Sequence, residues 1–505
     1  MTMAIWSWLN ERGCGVFLHI SSLPNGHGIG CFGQPAYDFI KFLTASGMKY
    51  WQICPLNPTS FGDSPYQSPS AFAGNPYFID LQDLVGEELL FPSDLNGLVA
   101  MAESFVDFGK MYENFWPVLK IAFENFLRFK NHGDDFNSFC QRFAWWLDNY
   151  ATFMAIKDQF GGHLWTDWPR EFSDPEAALD KVHSDEKLSR MATFYKFVQW
   201  IFDRQWNKLK NFANANGIEI VGDIPIFVGL DSADVWANKR IFKLQEDGFP
   251  KFVAGVPPDA FSKTGQLWGN PVYDWDVLAA DDFSWWTNRI GRCVELYDVV
   301  RLDHFRGFCD YWEIPTPATT GMNGKWVKSV GIKFFQHVKK VFPSIKFIAE
   351  DLGCLNDDVV QLLRDIGLPG MNVLQFAFDQ NNKNKYLPHE HEKNSVLYLG
   401  THDNDTTMGW FRLLPEDIKH QVRCYLRTNC DDVSWDFIKK AYESPSNLLI
   451  LNMQDILNLG SEARFNTPNI PSGNWQWRMT MEQFNGLCES PTPQYLRHLQ
   501  DTYGR

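Results

Sequence analysis

Nowhere in this sequence do as many as about 18 apolar residues stand in a row, so no segment reads as a membrane-spanning helix. The opening residues, MTMAIWSWLNERG, carry neither the basic stretch nor the continuous apolar run of a secretory leader, and the expectation is a soluble, cytoplasmic protein. Cysteine is sparse: ten residues, no CxxC pair and no clustered ligand spacing. That excludes a zinc module or dithiol motif read from spacing and points to reduced, scattered, mostly buried thiols. Positive charge is in deficit, with 46 Lys+Arg against 61 Asp+Glu and a net charge of −15. Such a balance argues against a general nucleic-acid or anionic-membrane surface and leaves only a local basic patch open. Also missing are low-complexity tracts, short internal repeats and a glycine-rich phosphate-binding turn.

What the chain has in abundance is apolar and aromatic surface. Its 505 residues are 45% hydrophobic and 16% aromatic, with 21 Trp, 42 Phe and 16 Tyr. Most of these rings fill core; the rest are flat enough to carry sugar rings. Short, nearly continuous apolar runs recur at 15–20, 50–54, 218–222, 297–302, 345–349, 371–376, 395–400 and 448–452, and most end in Gly, Pro, Asp, Asn or His. Runs of this kind suit parallel strands covered on both faces. Helical spacing lies between several of them, as in Ala36, Phe39, Ile40 and Leu43, or Val359, Leu362, Leu363 and Ile366. Eight strands with helices between them predict an α/β protein, a (β/α)8 TIM barrel with inserted subdomains. A doubly wound open sheet is the rival, but it would need no eighth strand and would carry the missing phosphate turn.

The spacing divides the chain unevenly. Residues 1–84 hold the first two strands and their loops, 85–215 a mostly helical inserted subdomain, and 216–505 the other six strands with inserted substrate loops around 224–290. The helical stretch shows three-four rhythms: Phe105, Phe108, Tyr112, Phe115, Leu119, Ala122 and Phe126; Phe139, Phe143, Trp146, Leu147, Tyr150 and Met154; Phe194, Phe197, Ile201 and Leu209. These stripes read as packing rather than ligand sites. Two N-terminal segments are almost uncharged: 13–37 has no Asp, Glu, Lys or Arg, and 50–79 has only Asp63. Such loops suit a neutral, polyhydroxylated ligand, or else they merely bend the chain.

Three carboxylates follow apolar runs: Asp303 in RLDHFRGF, Glu350 in AEDLG and Asp403 in THDNDT. Singly, each could cap a helix or pair with an Arg. Together, at the ends of three strands of one barrel, they ring one pocket, which suits glycosidic-bond chemistry. That chemistry needs an acid to protonate the departing oxygen and an anion to stabilise or attack the oxocarbenium carbon. The acid must hold its proton near neutral pH, by burial or a negative neighbour. The anion must stay ionised. Arg301 lies two residues before Asp303, on the same side of a strand, and is expected to hold it so.

At this point the sequence resembles the 4-α-glucanotransferases (amylomaltases, disproportionating enzymes) of glycoside hydrolase family 77, in the α-amylase clan. The stretches that carry the resemblance are HISSLPNGHGIGCFG, GDSPYQSPSAFAGNPYFIDL, GDIPIFV, PPDAFSKTGQLWGNP, RLDHFRGF, AEDLG, THDNDT and GNWQWRM, in order from residue 19 to about 479. The resemblance implies that Asp303 is the nucleophile, Glu350 the general acid/base and Asp403 a third carboxylate that holds sugar hydroxyls. It implies that His402 and Arg301 line the cleavage subsite, that Asp223 lies near it, and that Tyr66 stacks on the sugar there. Gln266 and Trp268 match a loop that closes over the glucan on the acceptor side, and Asn474 is a further substrate-binding candidate. Structural alternatives stay open: Asp223 as a helix cap, Trp268 as the anchor of its loop, Asn474 as a loop residue, His402 as a partner of backbone groups. Residues 389–392 read HEHE where the family carries His followed by Asn. Their spacing does not fit a zinc helix, and a solvated loop is expected, with His389 still available to the sugar site.

Carboxylates alone do not separate transfer from hydrolysis, since both use one intermediate and the acceptor decides. The resemblance implies transfer: an α-1,4-glucan donor, and glucose or a maltooligosaccharide as acceptor, with no metal, no cofactor, no nucleic acid, no membrane, and a monomer or weak homo-oligomer. A hydrolytic α-amylase-type glycosidase is the alternative. A non-catalytic glucan-binding protein is the remote one, disfavoured because all three carboxylates are present.

Overall fold

The computed structural model describes residues 5–505 apart from 100, 130–132, 259–261 and 354. Eight parallel strands form the central sheet: β1 Gly13–Phe17, β2 Tyr50–Gln52, β3 Glu219–Ile224, β4 Val299–Leu302, β5 Lys346–Ala349, β6 Gly370–Val373, β7 Ser395–Tyr398 and β8 Leu448–Asn452. Each matches one of the apolar runs, displaced by two residues at most at its start. The spatial order is β6-β7-β8-β1-β2-β3-β4-β5. Two hydrogen bonds tie the remaining edges. Ala349 N–H donates to the Pro369 carbonyl at 2.9 Å, and Met371 N–H donates to Asp351 Oδ1 at 2.7 Å. The sheet therefore curls into a (β/α)8 barrel.

Strands of three to six residues suffice because both faces are covered, by side chains inside the ring and helices outside. Between β1 and β2 runs the amphipathic helix Gln34–Ala45, burying Ala36, Phe39, Ile40 and Leu43. Asp357–Ile366 leads into β6, capped by the Asn356 side chain at Val359 N–H and ended by Gly367 at φ 83°.

Between β2 and β3 stand the long helices Phe108–Phe129, Gly133–Gln159 and Glu186–Ala215, with shorter ones between the last two. Their aromatic stripes are core: Phe126 meets Phe197 at 4.9 Å and Trp200 at 5.4 Å. Two members of the first stripe behave otherwise. Phe105 lies before the helix, bridged to Trp477, and both it and Tyr112 are exposed.

The insertion after β3 departs from a set of loops. Phe252–Val256 and Gln266–Pro271 pair antiparallel, and Phe252–Val256 also pairs with Asp310–Pro315, which in turn pairs with Lys325–Lys328. This small sheet takes strands from both sides of β4, so it stands directly over the residues that follow Asp303. Asp259, Ala260 and Phe261 of PPDAFSKTG lie outside the described residues. The described cysteines are all unpaired; five are buried, while Cys424 and Cys488 are exposed, and Cys354 lies outside the described residues. No helix among the described residues is long and apolar enough to cross a membrane.

Candidate active site

The strand ends open into one cavity of about 1060 Å³. That volume stands at the upper end of small-molecule sites, enough for several sugar rings rather than one. Its walls include Asp303, Glu350 and Asp403, together with Arg301, His402, Tyr66, Gln266 and Trp268. Of the ten candidate residues Asp223 and Arg301 lie within barrel strands, Asp303, Glu350, His402 and Asp403 follow strand ends closely, and Tyr66 stands on the long connection after β2; Gln266 and Trp268 come from the small sheet.

One wall is organised around Arg301 of β4. Its Nη1 donates to Asp223 Oδ2 at 2.5 Å and to Asp303 Oδ1 at 3.1 Å. Arg301 and Asp223 are buried, while the Asp303 side chain keeps 29% of its surface. A charge-assisted bridge of this kind holds both carboxylates against one guanidinium. Burial pushes the Asp223 carboxyl up, and Arg301 opposes that push. Asp223 belongs to β3 and caps no helix. Nor is it among the residues lining the cavity. It stands one layer behind, accepting from Arg301 and from the Tyr66 hydroxyl at 2.7 Å.

Tyr66 in turn stacks on His402, with ring centroids 5.3 Å apart and 19° between planes, and lies 5.7 Å from Trp475. His402 is buried, sandwiched by Phe17 on its other side at 5.8 Å. Its Nε2 is 3.4 Å from Asp403 Oδ1. Asp403 also accepts from Asn466 Nδ2 at 2.5 Å, and its carbonyl accepts from Arg464 at 2.8 Å. The third carboxylate is thus oriented by two side chains and stays half exposed to the cavity.

The opposite wall lacks a bridging cation. Glu350 follows β5; its Oε2 accepts His304 N–H and its Oε1 accepts Leu352 N–H, both at 2.9 Å. Burial first, and then the negative charge of Asp303, push Glu350 up to about 8, against the pull of Arg301 and the Leu352 N–H. Near neutral pH it carries a proton. His304 takes a left-handed conformation at φ 49°, uncommon for a residue with a Cβ, and that turn aims its N–H at Glu350. Burial lowers the His304 imidazole to about 4, so the ring beside the acid is neutral.

Trp268 roofs this wall. It meets His304 edge-on at 4.9 Å, and its Nε1–H donates to Gln266 Oε1 at 3.0 Å. The pair rides on a strand rather than on an irregular loop. Trp326 of the same sheet joins the lining, with the Arg306 guanidinium 3.5 Å from its ring centroid.

Asn474 is the site residue the fold does not deliver. Its Oδ1 accepts Thr467 N–H at 2.9 Å, and its Nδ2 donates to the carbonyls of Thr467 at 3.2 Å and Ile470 at 2.8 Å. Spent on its own loop, it does not line the cavity, whereas its neighbours Trp475, Asn466 and Thr467 do. His389 is also elsewhere, stacked on Tyr425 at 5.9 Å, and both His391 nitrogens are engaged, with Ser444 Oγ and the Tyr386 carbonyl. Among the described residues no group of three or more His, Cys, Asp or Glu could hold a metal ion. Missed at the sequence level were His304, Asn466, Arg464, Trp475 and Trp326. His304 stood in plain view inside RLDHFRGF and Trp475 inside GNWQWRM; the other three carry no local signal, because only the tertiary fold brings them in.

Comparison with known proteins gives a consistent result. A family model described as 4-alpha-glucanotransferase matches residues 18–483. The 4-alpha-glucanotransferase of Thermus thermophilus is 46% identical over 479 residues, covering 93% of this chain and 95% of that one. That of Streptococcus pneumoniae is 45% identical over 486 residues, covering 95% and 96%. Among solved structures, an amylomaltase from Streptococcus agalactiae in complex with acarbose superposes with a TM-score of 0.94 at 39% identity, covering 98% of this chain and 100% of that one. With a matching family model over nearly its whole length and relatives of this identity, the chain belongs to the 4-α-glucanotransferase family, glycoside hydrolase family 77.

Proposed function

We propose that this enzyme, a 4-α-glucanotransferase, works by retaining double displacement with Asp303 as nucleophile and Glu350 as general acid and then base. The observation that carries the assignment is the unequal surroundings of the two carboxylates: Arg301 beside Asp303, and burial with a negative neighbour around Glu350. Protonated Glu350 gives its proton to the glycosidic oxygen as the bond to C1 breaks. Asp303 attacks C1 from the other face and forms a glycosyl ester. The ionised Glu350 then takes the proton of an incoming sugar 4-hydroxyl, which displaces Asp303 and makes a new α-1,4 bond. Asp403, fixed by Asn466 and His402, accepts from hydroxyls of the distorted ring, and Tyr66 with His402 forms the wall beside it. Gln266 and Trp268 cover the acceptor side and keep water from competing.

The donor is an α-1,4-glucan, and the acceptor is glucose or a maltooligosaccharide. Size and polarity of the cavity support a glucan of several units, and a similar amylomaltase is known in complex with acarbose. The setting is a soluble, cytoplasmic enzyme, monomeric or weakly self-associating. Incubation with maltotriose tests the reading. Transfer gives a ladder of longer and shorter oligosaccharides plus glucose with the total of reducing ends constant. A steady rise in reducing ends with only shorter products would make the enzyme a hydrolase instead.

A further inference from the structure

The edge strand of the small sheet, Lys325–Lys328, has a lysine at each end and little cover. Between the lysines stands Trp326, which is 39% exposed and belongs to the lining of the catalytic cavity. A large ring on an open strand edge gains little from burial. Its surroundings are nonetheless specific. The Arg306 guanidinium lies 3.5 Å from the ring centroid, and Trp312 meets the ring at 5.2 Å with 63° between planes. Trp312 is fixed in turn. Its Nε1–H donates to the Gly321 carbonyl at 2.7 Å, and a Cβ on Gly324 would lie 2.4 Å from its ring, so the turn before Trp326 presses directly on it.

The clamp on Trp326 is tied to the segments that hold Glu350. Arg306 Nε donates to Asp310 Oδ1 at 2.8 Å, and Asp310 Oδ2 accepts from Asn356 Nδ2 at 2.9 Å. Asn356 stands on the segment that follows Glu350 and caps the helix Asp357–Ile366. Arg306 itself comes just after His304, whose N–H binds Glu350. Charge-assisted bonds of this kind fix geometry. Trp326 is therefore held at a set position relative to the acid, and Leu352 and Gly353 of the same segment join it in the cavity wall.

In the mechanism above, Glu350 handles the oxygen that joins the acceptor-side sugar to C1, so the wall beyond Glu350 runs along the acceptor. Trp268, in contact with His304, covers the part nearest the acid. Trp326 stands on the opposite edge of the four-stranded sheet. Three strand spacings, about 14 Å, separate the two strands. Trp268 and Trp326 are thus placed for different units of one chain. We propose that Trp326 is a specificity-determining platform for an outer unit of the acceptor glucan, its indole against the C–H face of the sugar ring, and that it makes oligosaccharides better acceptors than glucose. This inference rests on the transferase reading.

The test uses full-length enzyme with α-maltotriosyl fluoride as donor, so that every acceptor meets the same glycosyl-enzyme. Glucose and maltotriose are compared as acceptors by the initial rate of the product lengthened by three units. Trp326→Ala is expected to lose at least ten times more kcat/KM with maltotriose than with glucose. Trp326→Phe keeps a flat ring and recovers most of that difference. Trp326→Leu fills the edge strand without a ring and shows the same selective loss, which keeps the test open if the alanine variant does not fold. Equal losses with both acceptors, or the parent's acceptor preference retained in Trp326→Ala or Trp326→Leu, would reduce Trp326 to a packing partner of Arg306 and overturn the inference. Parent enzyme that releases fluoride and lengthens neither acceptor defeats the transferase reading, and the platform with it. A parent that lengthens both, with variants that keep its preference, leaves the transferase reading standing and defeats the platform alone.

Discussion

The two walls of the catalytic cavity are built from the same raw material, a carboxylate at the end of a short buried strand, and end in opposite states. Around Asp303 the fold supplies a guanidinium 3.1 Å away, itself braced by Asp223. Around Glu350 it supplies burial and the charge of Asp303, which push that carboxyl up to about 8 against the pull of Arg301 and the Leu352 N–H, and the His304 imidazole beside it is neutral. In the proposed mechanism the first attacks and the second protonates. Division of labour between acid and nucleophile therefore resides in the neighbours, and each neighbour can be removed.

The largest effect comes from removing the carboxylates themselves. Asp303→Asn and Glu350→Gln should each lower transfer from maltotriose by at least about a thousandfold, with circular dichroism unchanged. Arg301→Met attacks the asymmetry without touching either carboxylate. It strands Asp223 in the interior and is expected to cost about 3–5 kcal/mol of stability in chemical denaturation, along with most of the activity. Retained activity with normal stability would remove Arg301 from the account.

pH sharpens the comparison next. Because Glu350 must be protonated to act as acid, kcat/KM should fall as pH rises through about 8. The sign for stability follows from linkage. Native Glu350 holds its proton up to about 8 while the unfolded chain releases it near the ordinary 4.5, so this group's contribution is full at low pH and is lost as pH rises through that window. Glu350→Gln escapes the loss. Its melting temperature relative to the parent should climb between those two values and level off above 8; a difference independent of pH would contradict the protonated-acid wall.

Smaller still is Tyr66→Phe, which deletes the hydroxyl that donates to Asp223. A buried acceptor loses one of two partners, for about 1–2 kcal/mol in stability and an activity loss on the order of tenfold. Asn474→Ala touches neither wall. It loosens the 467–474 loop, and a change in kcat/KM below about threefold is expected for a half-buried loop staple outside the cavity; a loss as large as that of Tyr66→Phe would return Asn474 to the substrate site.

Much of this was legible in the sequence, and the reason differs by element. The barrel strands were visible because two-sided burial makes each a continuous apolar run, as in LLILN of β8. Asp303, Glu350 and Asp403 were visible because strand ends of a barrel converge. The small antiparallel sheet was not, since half of it lies beyond Asp303 and its edge strand, Lys325–Lys328, is largely exposed. The uncharged segments show how composition misleads. Ser64, Tyr66 and Gln67 do line the cavity, but no residue of 13–37 does. That first segment is mostly buried and tight: a Cβ on Gly30 would lie 1.9 Å from the Ile20 carbonyl oxygen, so that glycine answers to packing. Lack of charge marks burial as readily as it marks a neutral ligand.

The most direct measurement is to trap the intermediate. Glu350→Gln enzyme is mixed with α-maltotriosyl fluoride, whose leaving group needs no proton, and the protein is digested and its peptides weighed. Asp303 should acquire a maltotriosyl ester that persists, because the missing base cannot activate an acceptor. No adduct while fluoride is released, or an adduct on a peptide without Asp303, would contradict the assignment of the two walls.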